Sequence, residues 1–147
     1  MGNGSDRFHR EYKQNAISTS DQGTLILMLY DGAIKNLQLA IESINLKDVA
    51  NKGIHIQKSH DIVNELSLAL DIEKGGAVAE RLELLYQYVL RQLTLANIKS
   101  ADKTPIQGAL EVLNTLQSAW QEIIVKNQSQ NSYQSPQQTN QKFVAQC

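Results

Sequence analysis

Between Gly75 and Ser100 the chain reads GGAVAERLELLYQYVLRQLTLANIKS, a stretch with more apolar surface than one core contact needs. Val78, Leu82, Leu85, Val89, Leu93 and Ala96 recur at steps of three and four. That spacing puts them on one face of a helix. A second set, Leu84, Tyr88 and Leu95 with Ala77 above them, lies mostly off this stripe, and Tyr86 and Leu90 fill the flank. A helix that is apolar on two sides is either buried in the middle of a bundle or lends one side to a partner.

The rest of the chain supplies three more helical patterns. The first runs from about Thr19 to Asn45. Thr19 and Ser20 are N-cap candidates, Thr19 with Gln22 makes a capping box, and Asp21 suits the positive end of the helix dipole. Its stripe is Ile26, Tyr30, Ala33, Leu37, Ala40 and Ile44, widened by Leu27, Ile34 and Ile41. Gly32 costs this helix ~1 kcal/mol relative to alanine, and close approach of a neighbouring helix is the structural reason for it. Asp48 caps the second helix, which is expected to reach about Ile72 with Ile56, Ser59, Ile62, Val63, Leu66 and Leu70 inward. Ile54, Leu68 and Ile72 stand off that stripe.

Asp71–Gly76, with its paired glycines, predicts the reversal between helices two and three. Thr104-Pro105-Ile106-Gln107 opens the fourth helix: a capping threonine, a proline at the first helical position and a glutamine completing the capping box. That helix is expected to end near Lys126, with Ile106, Leu110, Leu113, Leu116, Trp120 and Ile123 inward and Val112 and Ala119 off the stripe. Four long helices joined by short turns predict an all-α, antiparallel up-down four-helix bundle over residues 19–126. Residues 1–18 precede it as a short arm, disordered or docked through Phe8 and Tyr12. Residues 127–147, rich in Gln, Asn and Ser, predict a disordered tail, with Phe143-Val144 as a weak docking point.

Several function classes find no support. The 147 residues carry a formal net charge of −1 and no basic stripe with interleaved aromatics, so nucleic acid is not expected as a partner. No apolar run approaches the ~18 residues of a membrane span, and Met1–Tyr12 is too polar for a secretory signal. The single cysteine, Cys147, fits a reducing cytoplasm. His9, His55 and His60 are not spaced to share a helix face, so no metal site is expected. No glycine-rich phosphate loop, nucleophile elbow or paired catalytic carboxylate appears, and neither an enzyme nor a cofactor is expected. One chemical pattern stands out. His55 and Lys58, three apart on the second helix, resemble the H-x-x-K-G of histidine phosphotransfer domains, with Ser59 in place of the glycine. A solvated histidine on a polar face is the plainer reading.

A series of motifs in order resembles the flagellar export chaperone FliS family. It comprises Tyr12 followed by Ile17; Leu29-Tyr30-Asp31-Gly32-Ala33; Glu65-Leu66 and Leu70-Asp71; Gly75-Gly76 through Leu85-Tyr86, Tyr88 and Ala96-Asn97; and Leu113, Leu116 and Trp120. Each fragment is weak alone; in this order they cover about Tyr12 to Lys126. Asp21 stands where many members have proline, and both residues suit a helix start. The resemblance implies an antiparallel bundle without enzymatic activity. It also implies a cytoplasmic chaperone that holds the disordered C-terminal segment of flagellin as helices in apolar surface grooves. Premature polymerisation is thereby blocked and flagellin is delivered to the export gate. Export-gate and regulatory proteins are further partners in this family.

The resemblance meets the apolar pattern at the off-stripe residues. An amphipathic helix docks its apolar face into a groove. Ile54, Leu68 and Ile72 with Leu84, Tyr88 and Leu95 are the candidates for one groove, and Val112 and Ala119 for an adjoining one. Ordinary core packing is the competing reading for each. Tyr12 and Ile17 would be the arm's plug over the empty groove. Dimerisation through the same apolar set is a third reading of the whole chain.

Overall fold

A computed structural model describes residues 19–99 and 101–131. Four helices follow one another: α1 (Thr19–Asn45), α2 (Val49–Leu68), α3 (Ile72–Ile98) and α4 (Thr104–Asn131). Each packs along its sequence neighbour, and α4 returns to lie against α1, which closes the ring of an up-down four-helix bundle. Among the described residues there is no strand. The turns are short enough to force antiparallel neighbours.

The α1–α2 turn is a C-terminal helix stop. Lys47 N–H bonds Ile44 O at 3.0 Å and Asp48 N–H bonds Ser43 O at 2.8 Å, the paired pattern that satisfies the last carbonyls of a helix. The position that makes this possible is Lys47, in the left-handed region at φ 59°. Asp48 then caps α2 by accepting from Asn51 N–H at 3.1 Å. That hydrogen bond is the main reason its carboxyl is held below the usual carboxylate range.

The second reversal lies earlier than the sequence pattern predicts. Helix α2 stops at Leu68, and Asp71 caps α3 by accepting from Lys74 N–H at 3.1 Å. Ile72 therefore begins α3 rather than ending α2. The glycines do not make the turn. Gly75 closes a first helical turn, and Gly76 breaks the helix at φ 57°, ψ −135°, a conformation only glycine adopts readily. At the third turn Asp102 accepts the Thr104 N–H at 2.9 Å, and the Gln107 N–H that a Thr104 cap would take bonds Lys103 O instead. Thr104 is the first helical residue, and Pro105 follows it. Helix α4 continues past Lys126 to Asn131. The expected Thr19–Gln22 capping box rests on side chains outside the described ones, as do the arm residues Tyr12 and Ile17 and the tail with Phe143, Val144 and Cys147.

Inside the ring, Ile26, Tyr30, Ala33, Ile34, Leu37 and Ala40 of α1 meet Ile56, Val63 and Leu66 of α2. Gly32 sits where a Cβ would come within 3.3 Å of Ile62 Cδ1, so α2 lies close against this part of α1. On α3 the buried stripe differs from the expected one. Ala79, Leu82, Tyr86, Val89, Leu90, Leu93 and Ala96 are buried, whereas Val78 and Leu85 are exposed. Tyr86 occupies the bundle centre because its phenol finds a partner there: the Tyr86 and Tyr30 hydroxyls hydrogen-bond at 2.5 Å. On α4, Ile124 is buried and Ile123 exposed, the reverse of the expected order. Gly23 of α1 explains it, since a Cβ at that position would come within 3.0 Å of Ile124.

Buried polar groups are paired. Trp120 Nε1 donates to Tyr30 Oη at 3.1 Å, so one polar node joins α1, α3 and α4. Ser59 Oγ donates to Ala33 O at 2.7 Å. Lys52 is almost wholly buried, and its Nζ donates to Lys99 O at 2.7 Å, just past the C-terminus of α3. Burial pulls its pKa down.

Two predictions follow from these contacts. Tyr30→Phe strands the Trp120 N–H and removes the hydrogen bond between the two hydroxyls, and should lower the unfolding free energy by about 2 kcal/mol at neutral pH. Burial and Tyr86 push the Tyr30 pKa well above its ordinary value of 10.0. The folded phenol then stays neutral while the unfolded one ionises, so its contribution is complete below pH 10 and is lost as pH rises further. The gap between wild type and Tyr30→Phe in urea denaturation should therefore narrow above pH 10; a gap that widens would refute this. Lys47→Gly should raise stability by about 1 kcal/mol by removing left-handed strain from a residue with a Cβ. An unchanged or lower urea midpoint would count against that account of the turn.

Candidate functional site

Tyr86 takes the buried place, so Leu85 beside it faces outward on the α4 side. There it meets Tyr88, three residues on and so on the same side of the helix. Between α3 and α4 these two side chains, with Gly108, Glu111, Val112, Thr115 and Leu116, line an open trough of about 400 Å³. Its walls are Leu85, Tyr88, Val112 and Leu116, all packed against or bordering the core; Glu111 and Thr115 form the polar rim of α4. Val112 and Thr115 share a face with Ala119 and Ile123, which continue the α4 wall as exposed apolar positions. Leu84 and Leu95, four before and seven after Tyr88, extend the α3 side as an outward stripe. Leu84 is 70% exposed and Leu95 41% exposed.

The candidates on the second helix lie elsewhere. Ile54, 50% exposed, and Leu68, 78% exposed, point outward from α2 with Lys58, Asp61 and Glu65 between them. Their separation of fourteen residues is about 21 Å of helix. The seam between α2 and α3 is polar. Ser67 Oγ donates to Glu83 Oε1, Gln87 Nε2 donates to the same carboxylate at 3.0 Å, and Gly53 faces Asn97. Ile54 and Leu68 are thus separated from Leu84, Tyr88 and Leu95 by hydrogen-bonded groups, and Ile72 stands exposed on the first turn of α3. The structure brings Tyr88 and Val112 into one trough; Leu84, Leu95 and Ala119 are exposed on the same two helices without lining it.

Periodicity does not mark three of the trough residues as part of a site. Their spacing puts Leu85 and Leu116 on core stripes; the rotation of α3 turns Leu85 outward, whereas Leu116 packs against the core and borders the trough as well. Gly108 carried a signal that was available: a glycine in a helix interior with no cap to make and no turn to permit.

Chemistry of other kinds finds little to work with. His55 is half-buried, and its Nδ1–H donates to Asn36 Oδ1 at 3.2 Å across the α1–α2 contact. Lys58 is exposed. The imidazole is engaged in holding two helices, and no feature of the surroundings favours phosphoryl transfer. Among the described residues no group of three or more His, Cys, Asp or Glu is placed to hold a metal ion. No described helix is long and apolar enough to cross a membrane.

The described residues form a closed four-helix bundle with an open apolar trough between its last two helices. The chain belongs to the FliS family: the model of flagellar protein FliS matches residues 5–128. The flagellar secretion chaperone FliS of Salmonella typhimurium is 35% identical over 120 residues, 81% of this chain and 88% of that protein. That of Bacillus subtilis is 30% identical over 113 residues, 77% of this chain and 83% of the relative. The flagellar secretion chaperone FliSB of Pseudomonas aeruginosa is 31% identical over 118 residues, covering 78% and 93%. These relatives carry names of chaperones in flagellar export, and none of the names points to phosphotransfer.

Proposed function

We propose that this chain is a cytoplasmic export chaperone that holds the C-terminal segment of flagellin as helix in the α3–α4 trough. The segment is thereby kept from premature assembly and passed to the flagellar export apparatus. The chain acts by binding, without covalent chemistry. The observation that carries this reading is the open apolar trough walled by Leu85, Tyr88, Val112 and Leu116 on a member of a flagellar secretion chaperone family. A closed bundle has no structural need for a channel of that size, and a helix laid in it buries apolar surface on both sides.

Magnitudes favour an extended site. Each client leucine or isoleucine fully buried contributes ~1.5–3 kcal/mol. Ordering a disordered segment subtracts ~2–5 kcal/mol or more. Several anchors are therefore needed, and the line from Val112 to Ala119, with Leu84 and Leu95 opposite, supplies them. Ile54, Leu68 and Ile72 offer a second, separate contact for a segment that wraps further round the bundle. Tyr12 and Ile17 remain proposed as a plug that the client displaces. Export-gate and regulatory proteins stay as further partners, without assigned residues.

Titration calorimetry tests the reading with a synthetic peptide of the flagellin C-terminal segment and the full chain. Tight binding with a negative heat-capacity change is expected. Leu85→Glu should weaken it at least tenfold by putting a charge on the trough wall, while Leu68→Glu should weaken it by less than about threefold. Equal losses in the two variants would move the principal site to α2. No binding by the wild-type chain would remove the chaperone reading, and a concentration-dependent dimer blocked by Leu85→Glu would put self-association in its place.

A further inference from the structure

Gly108 is the fifth residue of a 28-residue helix. Its φ is not positive, since Gly76 alone among the described glycines is in that region. The backbone does not require glycine there, and a glycine in a helix interior is unfavourable relative to alanine. Something in the tertiary structure offsets this. A Cβ at Gly108 would meet one atom within 4 Å, the Tyr88 hydroxyl, at 3.0 Å. Among the described residues the glycine thus accommodates one thing: the hydroxyl tip of a phenol from α3, set against the α4 backbone.

Both residues line the trough. Tyr88 is half-buried, and its hydroxyl makes no hydrogen bond among the described residues. It differs in this from Tyr30 and Tyr86, whose hydroxyls bond each other in the core. The hydroxyl lines the open trough, where solvent can reach it. A helix that docks there removes that solvent. An apolar face laid over the hydroxyl leaves it unpaired, whereas a face with a carbonyl oxygen at this point accepts its proton. Discrimination of this kind exceeds what apolar packing alone achieves.

We propose that Tyr88 and Gly108 form a recognition notch that selects the bound segment, a deepening that rests on the chaperone reading above. The glycine leaves room for the hydroxyl end of the phenol against the α4 backbone. The hydroxyl donates one hydrogen bond to a carbonyl oxygen within the otherwise apolar docking stripe of the client, from an Asn or Gln side chain or a main-chain carbonyl at a helix end. Gly108 acts through Tyr88 and is a positioning residue; Tyr88 is the specificity-determining contact.

A double-mutant cycle tests this, with the flagellin C-terminal peptide titrated into wild type, Gly108→Ala, Tyr88→Phe and the double variant. Gly108→Ala should weaken binding about tenfold, because the new methyl lifts the hydroxyl from its place, while the melting temperature stays level or rises. Tyr88→Phe should weaken binding by about three- to tenfold through the lost hydrogen bond. The double variant should bind no worse than Tyr88→Phe alone, since without the hydroxyl the methyl displaces nothing. Wild-type affinity in either single variant, or losses that multiply in the double one, would overturn the notch and leave the chaperone reading standing. A wild-type chain that does not bind the peptide would overturn both.

Discussion

The bundle depends on one polar contact in its centre. Tyr30 of α1, Tyr86 of α3 and Trp120 of α4 are large, nearly or wholly buried, and joined by hydrogen bonds. An aliphatic core tolerates rotation of a helix by a fraction of a turn, because any branched side chain packs about as well as its neighbour. A buried phenol does not, because a hydroxyl out of reach of its partner costs far more than a poorly filled void. This node therefore sets the rotation of three helices at once. Ser59 bonded to Ala33 O ties the fourth to the same frame.

The open trough follows from that rotation. With Tyr86 held inward, α3 presents Ala79, Leu82, Val89 and Leu93 to the core and turns Leu85 toward α4. The Gly76 break frees the long part of α3 to take this angle independently of its first turn. On α4, Gly108 withholds a side chain where a residue with a Cβ would press on Tyr88. The channel is thus what remains when a polar contact, rather than maximal apolar burial, determines how α3 faces its neighbours. The α2–α3 seam shows the opposite outcome, closed by Ser67, Glu83 and Gln87.

Much of the architecture was legible in the sequence. The four helices, the Asp48 cap, the close approach at Gly32 and the inward α1 stripe from Ile26 to Ala40 follow from period and turn chemistry, which are local properties. The differences share a cause. A repeat of three and four puts Val78 and Leu85 on α3 and Ile123 on α4 inside, yet Ala79, Tyr86 and Ile124 take those places. Adjacent apolar residues on a helix are 100° apart, and periodicity ranks them equally. What separates Ile123 from Ile124 is Gly23, more than a hundred residues away. The glycine pair was read as the turn because glycine breaks helices, but Asp71 could cap earlier and did.

The amino-acid sequence by itself determined that this chain is a helical bundle with surplus apolar surface on its third helix, and its ordered motifs pointed to a family. Both are set by residue types at fixed spacings. Only the tertiary structure decided which of those apolar residues face one another. It joined Tyr88 to Val112 across α3 and α4, left Ile54 and Leu68 apart on α2, and drew Gly108 into the site. Facing depends on the rotation of each helix about its own axis, and that rotation is set by hydrogen bonds and close contacts between residues far apart in the chain.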